Sequence, residues 1–228
     1  MNKKVIIGLV ISIILVAVVA VVGYFTTRDK DLITYQDQHF PAETYDVLQK
    51  RLDTAKQQVQ DIQKDTPDEE KYNRYLALGM AYAGLGYFSD ASDNYNKALD
   101  IKPKDANTWQ IYSSLRSSMH DYKGALKAVK KAIELDETNS EFWIWQIALE
   151  KDYFGADKNR LNDLYIDALL KTRDDLDIIT AYAGYLESVN NFQSAKEYWQ
   201  KAIDKNPESK NVYEENIKRL DDKLNAKK

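Results

Sequence analysis

Few side chains in this chain are placed to do chemistry. Only two imidazoles, His39 and His120, are available for acid–base work near neutral pH. Neither sits beside a residue pattern that would orient a base or complete a ligand set, so both read as surface residues. Without a cysteine there is no disulfide, no thiolate nucleophile and no Cys-ligated metal centre. The sequence has no glycine-rich phosphate loop, no G-x-S-x-G elbow and no H-E-x-x-H pair. Carboxylates gather at Asp68-Glu69-Glu70 and Asp174-Asp175, where helical patterns begin, and the helix dipole accounts for them without a metal. No stretch has the alternating oxygen ligands, glycine and terminal Glu of a calcium loop. The expectation is a protein that is not an enzyme and that holds no cofactor and no metal.

Composition narrows the remaining classes. Among 228 residues, 32 Lys and Arg stand against 36 Asp and Glu, a formal net charge of -4, which excludes a strongly basic nucleic-acid binder. Only 4 Pro and 8 Gly argue against a disordered chain, and 16 Tyr, 6 Phe and 4 Trp supply a bulky core. The basic end from Lys218-Arg219 to Lys227-Lys228 is interleaved with Asp221 and Asp222. It reads as a solvated helix face with favourable charge at its C-terminus.

After a short N-terminal tail, 1–4, residues 5–25 carry no charge, and Ser12 is their one clearly polar side chain. A helix of that length covers about 31 Å at about 1.5 Å per residue, matching a hydrocarbon core of about 30 Å. Lys3 and Lys4 with Val18-Val19-Ala20 offer a cleaved signal peptide as the competing reading. Signal-peptide cores run about 7 to 15 residues, so the longer run favours an uncleaved anchor. Basic residues flank the span almost evenly, Lys3 and Lys4 against Arg28 and Lys30, and the tally with the free amine leans to an N-terminus inside and the rest of the chain outside the cytoplasm. A polar linker, 26–41, follows. In 42–65, Tyr45, Leu48, Leu52, Ala55, Val59 and Ile62 mark one face of an amphipathic helix. Thr66, Pro67 and Glu69 then have the spacing to cap and open the next helix.

An internal repeat organises what remains. Segments starting at Tyr72, Ala106, Ser140 and Leu176 align, and residues 72–105 read as two amphipathic helices broken at Gly84-Leu85-Gly86. A bulky residue opens each unit at Tyr75, Trp109, Trp143 and Ile179, and a small one follows at Gly79, Ser113 and Ala183. The second helix has Ala91, Ala125, Leu161 and Ala195, then Tyr95, Val129, Tyr165 and Trp199, then Ala98, Ala132, Ala168 and Ala202. Paired helices approach closely only where small residues face each other, with aromatics filling the gaps. On these residues the chain resembles the tetratricopeptide repeat family, with its W-x2-L-G-x2-Y opening, A-x3-F and closing Pro, here Pro103 and Pro207. The resemblance implies an all-α solenoid of about four repeats at 72–105, 106–139, 140–175 and 176–209, which with the apolar run at 5–25 makes the expected fold a transmembrane helix followed by that solenoid. The third unit departs from the pattern at Ile147 and Glu150 and carries two extra residues. A helix in 210–228, with Tyr213, Ile217, Leu220 and Leu224 on one face, reads as the C-terminal cap.

The resemblance also implies where binding takes place. First helices of such units line a concave wall that takes extended peptides or partner helices. Here that wall is Leu76, Met80, Ala83, Gln110, Ile111, Ser114, Trp145, Ala148, Ala181 and Gly184. The family members that grip a peptide carboxylate use Lys, Asn and Arg at five sites that read Leu76, Met80, Ile111, Glu141 and Trp145 here, so that mode is excluded. The composition points to an apolar helix or strand, with Met80 adaptable and Trp145 an anchor. The chain's own flanking helices or a second copy in a homo-oligomer are the other occupants. The functional expectation is a membrane-anchored scaffold that binds a protein partner in an envelope, secretion or translocation assembly. A processed soluble chaperone-like binder and a cytoplasm-facing docking adaptor are the alternatives.

Overall fold

The computed structural model describes residues 42–225. The expected membrane span at 5–25, the linker at 26–41 and His39 lie outside the described residues. Among the described residues no helix is long and apolar enough to cross a membrane.

Ten α-helices make up the described chain: α1 (Ala42–Gln60), α2 (Asp68–Gly84), α3 (Phe88–Ile101), α4 (Ala106–Ser118), α5 (Tyr122–Leu135), α6 (Ser140–Tyr153), α7 (Lys158–Thr172), α8 (Leu176–Ser188), α9 (Phe192–Lys205) and α10 (Lys210–Asn225). A 3-10 turn at Pro207–Ser209 leads into the last. Short polar side chains start most of them by accepting a backbone N–H that the helix cannot pair internally. Asp105 accepts from Thr108 at 2.6 Å, Asp121 from Gly124 at 2.9 Å, Asp157 from Arg160 at 2.8 Å and Asp175 from Asp177 at 2.9 Å. Asp175 thereby spends on a cap one of the carboxylates that composition singles out. The turns inside the hairpins reverse through left-handed residues, Gly86 at φ 80, His120 at φ 59, Gly155 at φ 62 and Asn190 at φ 62. Gly and Asn tolerate that conformation best, and it ends the first helix of each pair.

One expected start is built differently. The stretch expected as helix over 42–65 is helical to Gln60, and Ile62 falls in a turn where its N–H reaches the Val59 carbonyl at 3.2 Å. Thr66 turns back to accept from Gln63 N at 2.8 Å, and Pro67 takes the N-cap place of α2 without a side-chain cap.

The described chain packs as two compact units divided after Pro103. In the first, α1 lies against the α2/α3 hairpin over a core of Leu52, Ala55, Leu78 and Leu85, flanked by Leu48, Val59 and Tyr82. In the second, the α4/α5, α6/α7 and α8/α9 hairpins pack in succession and α10 closes on α9. The small sites of the second helices, Ala98, Ala132, Ala168 and Ala202, are fully buried. Ala91, Ala125 and Ala195 are as well. The Tyr213 ring stacks on Trp199 at 5.8 Å, while Arg219 and Lys223 converge on Glu187 of α8 at 2.8 Å each.

The third hairpin absorbs its irregular residues locally. Ile147 is buried in the second unit's core at the site where the other hairpins have Gly79, Ser113 and Ala183. Glu150 is also nearly buried, and its Oε1 accepts from Arg160 at 3.1 Å and pairs with Lys130 at 3.3 Å. Burial alone would push the Glu150 carboxyl up. The Arg160 hydrogen bond and the Lys130 charge override it and hold the group below the usual carboxylate range.

Candidate protein interaction surface

The ten residues expected on one wall divide between the two units. Leu76, Met80 and Ala83 lie at i, i+4 and i+7 on α2, with Leu76 and Ala83 half-buried and Met80 53% exposed. The second unit contributes the other seven: Gln110, Ile111 and Ser114 on α4, Trp145 and Ala148 on α6, and Ala181 and Gly184 on α8. Ser114 and Gly184 are exposed and the other five are half-buried.

Trp145, the expected anchor, is held within the unit. Its indole N–H donates to Ser113 Oγ at 2.8 Å, and Ser113 in turn donates to the Ala125 carbonyl at 2.7 Å. A side chain from α6 is thus tied to α4 and through it to α5. The ring also packs against the core, so much of its apolar area is already spent inside the unit. Gln110, by contrast, keeps a buried Oε1 with no hydrogen-bond partner.

In the second unit the exposed members of the set, Ser114 and Gly184, are small residues. A Cβ built on Gly184 would meet no atom within 4 Å, although Gly184 sits inside a helix at an ordinary negative φ. The fold therefore gains nothing from glycine there, and glycine in a helix interior costs roughly 0.5–1 kcal/mol relative to alanine. Gly79 is the opposite case, since its missing Cβ is what lets the Tyr95 ring approach.

The first unit holds a groove that the repeat pattern does not reveal. It has a volume of ≈ 710 Å³ and runs between α1 and α2, with Val47 and Leu48 on one side and Ala77, Met80 and Ala81 on the other. Val47 and Met80 are each about half exposed, at 50% and 53%. Lys50 and Arg51 stand on the α1 side. A signal for it does exist in the sequence: Val47 falls off the apolar stripe of α1, an aliphatic residue on the face that also carries Lys50 and Arg51.

Other polar clusters serve the fold. Asp68, Glu69 and Glu70 occupy the first turn of α2, where Glu69 pairs with Lys102 at 2.5 Å and Glu70 with Arg74 at 2.5 Å. His120 is exposed in its turn, with Nδ1 at 2.9 Å from the Tyr122 hydroxyl. Tyr122 stacks on Tyr153 with ring centroids 3.6 Å apart.

Comparison with known proteins agrees with this architecture. The tetratricopeptide repeat family model matches residues 72–105. A Sol locus transcriptional repressor of Clostridium acetobutylicum is 34% identical over 88 residues, covering 37% of this chain and 28% of the repressor. The chain spans less than a third of the length of the curated relatives it matches. Among solved structures, MamA aligns with a TM-score of 0.54 at 17% identity over 75% of this chain and 98% of its own. PilF of Pseudomonas aeruginosa aligns at 0.53 with 18% identity over 70% and 71%. At those identities the likeness is one of fold. The chain carries a tetratricopeptide repeat at residues 72–105, within an all-α fold built from successive helical hairpins.

Proposed function

We propose that this chain is a membrane-tethered scaffold that holds a protein partner against the exposed first-helix faces of its hairpins and performs no catalysis itself. The observation that carries the reading is the open, small-residue face of the second unit. Gly184, with nothing near its absent Cβ, leaves room for a partner's backbone at a place where the fold gains nothing from the space. Ser114 and Ala148 extend the same kind of surface onto α4 and α6. Tetratricopeptide repeats bind proteins through such helix faces. The tether is residues 5–25, whose uncharged length matches a bilayer. The flanking charges support repeats outside the cytoplasm, where an envelope, secretion or translocation assembly would be their setting.

A photoreactive amino acid at Gly184 or Ala148 of the full-length chain tests the binding face in cells. Adducts with one protein partner are expected at both positions and not at the exposed Ile166 of α7. Equal labelling at Ile166, or none at Gly184 and Ala148, would remove the face from the mechanism. Protease treatment of intact cells, with a tag after Lys228, reads the side of the membrane. Digestion of the tag is the expected result, and a protected tag would turn the scaffold to the cytoplasm.

A further inference from the structure

The groove between α1 and α2 carries a more specific inference. Its floor is apolar, and Val47 and Met80, two exposed floor residues, come from opposite helices. Both charged residues that line it, Lys50 and Arg51, are basic. Neither forms an ion pair with a carboxylate among the described residues. On α2 the floor is small, with Ala77, Ala81 and Gly84 at i, i+4 and i+7; Ala77 is exposed, while Ala81 and Gly84 also face α1, with Leu48 Cδ2 3.6 Å from where a Gly84 Cβ would stand. The α1 side runs from Val47 to Gln58, about 16 Å at about 1.5 Å per residue, or about three helical turns.

From this complementarity we infer that the groove docks an acidic amphipathic helix of a partner protein, its apolar stripe on Val47 and Met80 and its carboxylates on Lys50 and Arg51. The inference rests on the scaffold reading above and assigns a second contact with a stated chemistry. Methionine suits the floor because its unbranched side chain adapts to the helix it meets. The two cations select the sign of the partner, since complementary charge decides specificity at the rim of an apolar contact.

The chain has no cysteine, so Thr54→Cys carrying a bimane reports on the groove without background labelling. The full-length chain in zwitterionic nanodiscs is titrated with two 14-residue helical peptides that share one leucine stripe, one flanked by Glu and the other by Lys. The Glu peptide should bind about tenfold more tightly, as expected for two exposed charge pairs. Lys50→Glu with Arg51→Glu should invert that preference. Met80→Asp, on the exposed floor, should weaken both peptides while leaving the helical circular dichroism unchanged. Equal binding of the two peptides, a preference that survives the charge reversal, or full binding by Met80→Asp would overturn the inference. A groove that answers only after Asp31→Asn and Asp37→Asn would assign it to the chain's own N-terminal segment, and a signal that rises with protein concentration alone would assign it to a second copy. Either would overturn it too. Crosslinking at Gly184 reads the other unit, so failure of the groove and failure of the scaffold reading are separable.

Discussion

Two glycines in helices, Gly79 and Gly184, should respond to the same substitution with opposite sign. A Cβ on Gly79 would stand 2.5 Å from Tyr95 Cδ1, 2.6 Å from Cε1 and 3.3 Å from the Ala91 carbonyl oxygen. Carbon atoms prefer about 3.5–4.0 Å, so the overlap is about 1 Å. Tyr95 is 2% exposed and Ala91 and Ala98 on its helix are fully buried, so in a close-packed interior the ring can yield only by shifting its neighbours. Overpacking of this kind costs about 1–3 kcal/mol, offset by about 1 kcal/mol of helix propensity, so Gly79→Ala should lose about 1 kcal/mol net, within a range of about 0 to 2 kcal/mol. Gly184→Ala meets nothing and should gain about 0.5–1 kcal/mol. All four tryptophans follow Pro103, so urea unfolding followed by their fluorescence reads the second unit, and hydrogen exchange over α2 and α3 reads the first. Tyr95→Val supplies a cycle, since valine holds the corresponding site at Val129 opposite Ser113. The double variant with Gly79→Ala should be more stable than the sum of the singles by about 1 kcal/mol. Stabilisation by Gly79→Ala, or additivity within about 0.5 kcal/mol, would refute the close approach as the reason for glycine.

Ser113→Ala should cost about 1–3 kcal/mol, because it strands the half-buried Trp145 indole N–H and removes the hydroxyl's bond to the Ala125 carbonyl, and urea midpoints followed by tryptophan fluorescence measure it. Alkali should unfold the second unit: burial, aided by neighbouring tyrosines, pushes Tyr165 and Tyr182 up to about 12, so their protonated stability is complete below about pH 10 and lost as pH rises towards about 12. A circular dichroism melt flat from pH 9 to 12 would contradict that. Glu150→Gln should lower stability at neutral pH, and because the Glu150 carboxyl is held below its ordinary value, the gap from the natural chain should close as pH falls below about 4.

The hairpins were legible because their determinants are local. Alanine at 98, 132, 168 and 202 has one packing explanation, and all four are fully buried. The caps at Asp105, Asp121, Asp157 and Asp175 are likewise written in short polar residues before each apolar run. What the pattern leaves out depends on neighbours that spacing does not encode. Thr66 had the right interval to cap α2, but the Gln63 N–H lies closer in the turn and wins its oxygen. Trp145 had the right type and position for an anchor. Its indole nevertheless needs a partner once half-buried, and Ser113, a full repeat earlier, supplies one.

The interaction surface was less legible than the fold for a related reason. A repeat constrains the residues that each hairpin must bury, and those recur at fixed intervals. It leaves the outward positions free, so binding residues need not recur, and none of the charged groups at the α1/α2 groove has a counterpart in the repeat register. Val47, Lys50 and Arg51 belong to α1, which precedes the first aligned unit, and only Met80 lies on a repeat helix. A search confined to the concave positions of the units therefore finds one side of that groove and misses the side that carries its charge. The non-repeating helix is where the partner's chemistry is specified. Substitutions at Lys50 and Arg51 should accordingly change partner choice without touching the stability of any hairpin.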